Sequence, residues 1–475
     1  MTSSFPSIPY KFKQTQLWVQ ILFCALFVYI SLVPYYYLQQ QSLTEEIPPF
    51  SLAKYGPFFL ITFVILFWII ERVFKRRKWV RSRIDPFLSI YLVVSLCSLI
   101  GAEYTYIGLA KWLYHNTTGG VLCVMLFQYC TSWKVIKTIA SVMCLVSGIV
   151  VLYTFAFSLL GADPIWGEIQ NSYNPYYTRD RATGPFGHTV ATASYTMLFF
   201  PLAIWLLISL KKINPKILWA LVCLLFIPVI ILTQTRGALL SIGLCGVVMT
   251  PWIRGLRFDR NLSHHRLITG LGLAVIMLFF ILSKPALLDP VQERLSRLAQ
   301  RWHEGTDPSS ITITHGDREY HYGSLLEYTE RFRIAQYKVV AHYLNNHPFL
   351  GVGFGNYSRI FEKEKYERTN EEIWTVIAHT TENMYLLFLV ETGWVGLASR
   401  LLLLGVVFIV VFRRYRQIAD GDQRKLLLAI LAGQSGLAFN MLTWDILNEP
   451  TMRMASWMLI GLALATARCD NALNE

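Results

Sequence analysis

Residues 215–253 read PKILWALVCLLFIPVIILTQTRGALLSIGLCGVVMTPWI. A run of about 20 apolar residues is long enough to cross a bilayer as a helix. Two such runs, at about 215–234 and 237–253, stand back to back here, joined at Thr235 and Arg236. Both carry apolar residues on every face, so neither is suited to a water-exposed surface. A joint this short makes the pair an antiparallel helical hairpin.

Working outward, comparable runs occur at about 17–38, 56–74, 87–109, 119–133, 138–160, 191–210, 266–283, 383–411, 425–445 and 452–468. The fourth of the twelve is short and the tenth is long. The expectation is an all-α polytopic membrane protein of about 12 transmembrane helices. Composition agrees: of 475 residues 54% are hydrophobic and 15% charged, against about 25% charged in soluble domains. Lys11 and Lys13 precede the first run, which ends at Tyr35, Tyr36 and Tyr37 with no small-residue cleavage site after it. It reads as an uncleaved first helix rather than a signal peptide.

The net charge of +13 is not spread as a nucleic-acid footprint. It gathers in alternate loops. One set carries Lys11 and Lys13; Arg72 to Arg83; Lys134 and Lys137; Lys211, Lys212 and Lys216; Arg254 to Arg266; and Arg413 to Lys425. The intervening short loops carry few: Lys54, Lys111, Arg179, Arg181, Arg236 and Arg453. Cytoplasmic loops accumulate Lys and Arg, so both termini are expected in the cytoplasm. Of the eight cysteines all but Cys469 lie in apolar runs, where they act as small hydrophobes. There is no CxxC pair, and no disulfide or thiolate-metal site is expected.

One connection departs from the short-loop pattern. Residues 284–382 separate the ninth and tenth spans on the outer side, dividing the chain into 1–283, 284–382 and 383–475. Loops beyond about 15 residues are usually functional or disordered. This one reads as partly helical. Val291, Leu295, Leu298 and Trp302 form a stripe over 291–302, and a second helix spans 325–344, stopped by Asn345-Asn346-His347-Pro348.

The candidate chemistry lies at the outer helix ends. Arg236 sits in the tight turn of the opening hairpin; an arginine there either reaches headgroups or clamps a phosphate with its fork of donors. Arg331 and Arg333 open a helix on which Arg333 and Tyr337 share a face. Arg179 and Arg181 precede Gly184-Pro185-Phe186-Gly187-His188, and Arg453 opens the last span near Asp445 and Glu449. The glycine-rich Gly351–Tyr357 stretch lacks the strand and helix of a dinucleotide fold; it reads as a tight turn that lets backbone approach a ligand. His379, Glu382 and Asn383 lead into the tenth span. An imidazole or carboxylate there is suited to take a proton from a hydroxyl, or else these are the polar start of a helix. Glu391, Gly393 and Gly396 suggest a helix break, and Arg400 either marks that break or pairs inside the bundle. No HExxH, nucleophile-elbow or Walker sequence occurs, and neither a metal site nor a cofactor is expected.

Taken in order, these motifs resemble the O-antigen ligase and O-antigen polymerase superfamily. The resemblance rests on Thr233-Gln-Thr-Arg236-Gly237, Arg333 with Tyr337, His347-Pro348-Phe349-Leu350-Gly351 to Tyr357, and Glu382-Asn383-Met384 running to Glu391-Thr392-Gly393-Trp394-Val395-Gly396. Arg181-Ala182-Thr183-Gly184-Pro185-Phe186-Gly187 is similar to the same family, and the likeness is strongest over 179–400. It implies a bacterial inner-membrane enzyme of cell-surface polysaccharide synthesis, including that of lipopolysaccharide. Its active site would face the periplasm and require no metal. The implied donor is a glycan on undecaprenyl diphosphate; the implied acceptor is a lipid A-core sugar for a ligase, or another lipid-linked repeat for a polymerase. It implies diphosphate-holding roles for Arg236, Arg333 and Arg181. Ligases of this group commonly have His-Asn where this chain has Glu382-Asn383, so the base is Glu382 or His379, and a polymerase-like acceptor is favoured. The other functional class is a transporter of a small anion such as bicarbonate. A transporter calls for internal repeats or broken helices meeting at the midplane; the chain shows no repeat.

Overall fold

A computed structural model describes residues 10–32, 80–160, 181–233, 235–255, 311–315, 318–322, 325–367, 381–419 and 421–469, with isolated positions between 62 and 70. The predicted spans 56–74 (those isolated positions apart) and 266–283, the predicted helix 291–302, and Arg179 and His379 lie outside the described residues.

The described chain is predominantly helical. It runs α1 (Tyr10–Leu32), α2 (Asp85–Cys97), α3 (Thr105–Trp112), a π-helical turn (Leu113–Thr117), α4 (Thr118–Tyr129), α5 (Trp133–Leu160), a 3-10 turn (Gly184–Phe186), α6 (Thr189–Ser209), α7 (Ile213–Leu232) and α8 (Arg236–Gly255). The hairpin β1 (Ile311–His315) and β2 (Arg318–Tyr322) follows, then α9 (Leu325–Asn346), α10 (Tyr357–Glu367), α11 (Met384–Gln417), α12 (Asp422–Asn440), a 3-10 turn (Ile446–Asn448) and α13 (Pro450–Arg468). The strands pair antiparallel with Ile313 opposite Tyr320, an element that the helical reading of the loop did not foresee.

Among the described residues, four stretches are long and apolar enough to cross a membrane: Trp133–Ala156, Thr189–Ser209, Ile213–Leu232 and Met384–Gln417. The chain is a multi-pass helical membrane protein. The lipid-facing sides are legible: Leu218, Leu224, Ile227 and Ile231 on α7 and Leu401, Leu402, Ile409 and Phe412 on α11 are large, apolar and exposed. In contrast, every α13 residue from Pro450 to Thr466 is buried. This helix is the centre of the bundle and meets protein on all sides, which explains how it carries Thr451, Arg453, Ser456 and Thr466.

One predicted span is corrected. Residues 87–109 do not form one helix: α2 ends at Cys97, and the chain turns through Gly101, whose φ is +80°. The left-handed region is accessible to glycine at no steric cost. The chain then starts α3, which continues through the π-helical turn into α4.

Hydrogen bonds sort the loops into two ends. At one, Asp422 pairs with Lys137 and accepts from Ser209, its carbonyl accepts from Trp205 Nε1 at 3.2 Å, and Cys469 Sγ donates to the Thr131 carbonyl at 3.3 Å. This end gathers the Lys- and Arg-rich loops around 131–137, 210–212, 418–424 and 469. At the other, Thr451 Oγ1 donates to the Ile30 carbonyl at 2.7 Å and Ala182 N to the Leu232 carbonyl at 3.0 Å. The described residues flanking 33–79 lie at opposite ends, Leu32 near the Thr451 contact and Val80 bonded to Gln128.

Candidate functional site

The site-bearing end is built around a break in α11. Gly393 has φ +66° and ψ −171°, which no helical residue adopts. The break frees backbone groups, and buried backbone groups must find partners. The 348–357 turn supplies them. Val352 N donates to the Val390 carbonyl (2.9 Å), Gly353 N to the Glu391 carbonyl (3.0 Å), Trp394 N to the Pro348 carbonyl (3.0 Å) and Val395 N to the Phe349 carbonyl (3.4 Å). The fit leaves no room for side chains: a Cβ on Gly351 would stand 2.3 Å from the Val390 oxygen. The expected role of this turn is thereby revised. Its glycines do permit a close backbone approach, but what approaches is the broken helix.

The turn is also pinned by the α2–α3 segment. Tyr104 N donates to Asn356 Oδ1 (2.9 Å), Phe354 N to Ser98 Oγ (3.0 Å) and Lys111 Nζ to the Gly355 carbonyl (2.8 Å). Glu391 is buried beneath it, accepting the N–H groups of Gly355 and Tyr357 and feeling the Lys111 charge.

Just before α11 lie Thr381, Glu382 and Asn383. Asn383 caps the helix, its Oδ1 accepting from Tyr385 N (3.0 Å) and Leu386 N (3.1 Å). The helix start is stitched to the end of α12: Met384 N donates to the Met441 carbonyl (2.9 Å), Asn383 Nδ2 to the Leu442 carbonyl (3.0 Å) and Tyr385 OH to the Ala438 carbonyl (2.7 Å). Glu382 precedes this stitch with φ +46°, the one non-glycine residue of positive φ among the described residues. Burial raises its carboxyl above the usual range; Arg333 on α9 pulls it down and Asp445 pushes it up. Arg333 and Asp445 therefore both lie within electrostatic range of Glu382.

The opening hairpin closes on the same 440–445 segment. Gly237 is pressed so closely against Thr443 that a Cβ would lie 2.2 Å from its hydroxyl, and Asn440 Oδ1 would be 2.9 Å away. Arg236, the first residue of α8, is exposed beside it. Arg181 Nε donates to the Thr233 carbonyl at 2.9 Å, tying the 181–187 stretch to the hairpin joint. His188 caps α6, accepting from Ala191 N at 3.4 Å, and its ring lies 5.2 Å from that of Trp444. Burial, with Arg181 beside it, holds the His188 imidazole down to about 4, so it is neutral at physiological pH.

Of the sequence candidates, Arg333 and Glu382 lie within electrostatic range of each other; Arg236 opens the helix whose Gly237 packs on Thr443, and Arg181 is bonded to the Thr233 carbonyl at the same joint. Arg453 is buried and donates to the Leu447 carbonyl at 2.9 Å, holding the turn before α13. Burial and Asp445 push Glu449 up to about 7, against the pull of Arg453. Arg400 neither marks the break nor pairs with a carboxylate among the described residues. Its Cζ lies 4.9 Å from the Tyr91 ring, 5.0 Å from Trp457 and 5.5 Å from Phe388, an aromatic enclosure that suits a guanidinium. Sequence reading missed Lys111, Trp444 and the hub formed by 440–445. The one available signal was Asp445 interrupting an apolar run. No three His, Cys, Asp or Glu side chains gather as a metal set among the described residues.

Residues 221–401 match the family model described as O-Antigen ligase. The match covers the α7–α8 hairpin with Arg236, α9 with Arg333, the glycine-rich turn and α11 through its break. Over those residues the chain is similar to that family. No curated protein matches the chain.

Proposed function

We propose that the chain transfers a glycan from undecaprenyl diphosphate to an acceptor hydroxyl, with Glu382 as general base and Arg236, Arg333 and Arg181 holding the diphosphate. The observation that carries this is the meeting of Arg333, Glu382 and the Arg236 turn around residues 440–445. It lies at the end of the bundle opposite the basic loops. With about twelve spans and both termini on the basic side, that end faces the periplasm of a bacterial inner membrane.

The chemistry follows. The acceptor oxygen forms a bond to the anomeric carbon while the bond from that carbon to the diphosphate oxygen breaks. The electron pair leaves with the diphosphate and the acceptor proton passes to Glu382. Charge grows on the diphosphate, and preorganised guanidinium groups stabilise it. Arg236 adds its fork to the N-terminus of α8, where free N–H groups favour an anion. Arg181 also positions, since its bond to Thr233 fixes the joint that carries Arg236.

The break in α11 is what favours the transporter reading, because transporters coordinate substrates at broken helices. Here the backbone groups beside the break are taken up by the 348–357 turn. That leaves them unsuited to an ion and favours the transferase. A glycan repeat is the acceptor that Glu382 favours, with lipid A-core as the second.

Two experiments test this. In a strain lacking the gene, Arg236→Ala and Arg333→Ala should fail to restore surface polysaccharide on a gel, each lowering turnover by about 10²–10³. Normal chain length and attachment with both variants would end the enzyme reading. Loss of long chains with one repeat still on core marks a polymerase; free lipid-linked polymer with bare core marks a ligase. Separately, Glu382→Gln should abolish transfer while His379→Ala leaves it; the reverse result would assign the base to His379.

A further inference from the structure

We propose that Glu391 is a positioning residue: buried in α11, it clamps the glycine-rich turn into the helix break and through that turn sets Arg333 against Glu382. This rests on the transferase reading above.

The geometry is that of two arms hinged at one joint. The first arm is α9, which runs from Arg333 to Asn346, about 20 Å at 1.5 Å per residue. It passes without slack into the turn: His347 N donates to the Tyr343 carbonyl (2.9 Å) and Gly351 N to the His347 carbonyl (3.1 Å). The second arm is the start of α11, from Glu382 to Glu391. The arms meet where Val352 and Gly353 dock on Val390 and Glu391. Whatever moves the turn in the break swings α9, and Arg333 with it.

A carboxylate at this joint is costly unless it is hydrogen-bonded and paired. The turn meets both conditions. The Gly355 and Tyr357 N–H groups donate to Glu391, and Lys111, which donates to the Gly355 carbonyl at 2.8 Å, supplies the counter-charge. Charge-assisted hydrogen bonds are roughly twice as strong as neutral ones. Glu391, only 7% exposed, is out of reach of a substrate in bulk solvent. Its contacts are with the clamp, which is why its role is to position.

The test uses the full-length protein in nanodiscs and lipid-linked glycan extracted from the strain lacking the gene, with release of undecaprenyl diphosphate followed across pH. The charged groups facing Glu382 are Arg333 from α9 and Asp445 from the α12–α13 turn. Arg333 holds the Glu382 carboxyl down, so a displaced Arg333 must move the acid limb of the rate profile to higher pH. Glu391→Ala should lower kcat about tenfold or more through misplacement, with KM little changed, and should move that limb toward the position given by Arg333→Gln. Glu391→Gln, whose amide oxygen still accepts N–H groups, should keep most of the rate and the wild-type limb. Because Glu391 acts through Arg333, the double variant Glu391→Ala/Arg333→Gln should be no slower than Arg333→Gln alone. Additive losses, or an unmoved limb in Glu391→Ala, would overturn the proposal. Should Glu391→Ala not fold, Gly351→Ala pries at the same joint without touching the carboxylate and should move the limb likewise; an unmoved limb there overturns the proposal equally. Wild-type rates in Arg333→Gln would instead remove Arg333 from the diphosphate site of the transferase reading, and this inference with it.

Discussion

Glu382 carries two marks of a working residue. Its φ of +46° places a non-glycine side chain in the left-handed region, where strain of about 1–3 kcal/mol persists only when the surroundings enforce it. The stitching of Asn383 and Met384 to Leu442 and Met441 does so. Its carboxyl is raised by burial first, lowered by Arg333 and raised by Asp445. As the proposed base, Glu382 must be ionised, so transfer should be lost as pH falls through this raised value. Asp445→Asn removes an upward push and should move that loss to lower pH, read from the pH profile of undecaprenyl diphosphate release; a limb that stays or rises would refute the pairing. The sign for stability is opposite. Because the folded value lies above the unfolded one, the ionised form costs stability, and the cost is absent at pH below the ordinary carboxylate range and complete above the folded value. Glu382 and Arg333 were legible as motif residues. That Asp445 faces Glu382 was not, since about 60 residues of chain separate them and spacing carries no record of a tertiary turn.

The break in α11 was foreseen from Gly393 and Gly396, and its occupant was not. Apolar runs report length and lipid exposure; they do not report which loop returns to fill a gap in a helix. The same limit fused α2 and α3 into one predicted span, because Glu103 is the one charge in the 98–104 turn that interrupts the run. The break makes a sharp stability prediction. A Cβ on Gly393 would lie 2.2 Å from the Phe349 carbonyl carbon, backbone that cannot rotate aside, at a φ of +66°. Gly393→Ala should therefore destabilise by more than the ~1–3 kcal/mol of backbone strain alone. Gly405 lies on the same helix, and a Cβ there would meet nothing within 4 Å. Gly405→Ala should instead stabilise by about 0.5–1 kcal/mol. Thermal unfolding of the two variants in one detergent checks the pair, and equal midpoints would show that the break is not held by this contact.

At the scale of the molecule, helix direction and loop charge agree. The basic loops meet at the Asp422 end, and the glycine-rich turn, Arg236, Arg333 and Glu382 meet at the other. The sequence made this alternation legible because lysine and arginine counts are local. It made α12 and α13 legible as helices too, although their burial lets them carry more polar groups than α7. Which face of the membrane holds each end follows from the charge rule alone, and it can be read directly. Phe349, 71% exposed at the tip of the glycine-rich turn, and Lys212, exposed between α6 and α7, mark the two ends. A membrane-impermeant maleimide should label Phe349→Cys in intact spheroplasts and Lys212→Cys only after permeabilisation, each measured against the parent chain, whose described cysteines are buried or half-buried. Labelling from the same side would break the two-ended architecture. The reversed pattern would keep the architecture but turn the arginines and Glu382 toward the cytoplasm, away from any periplasmic glycan.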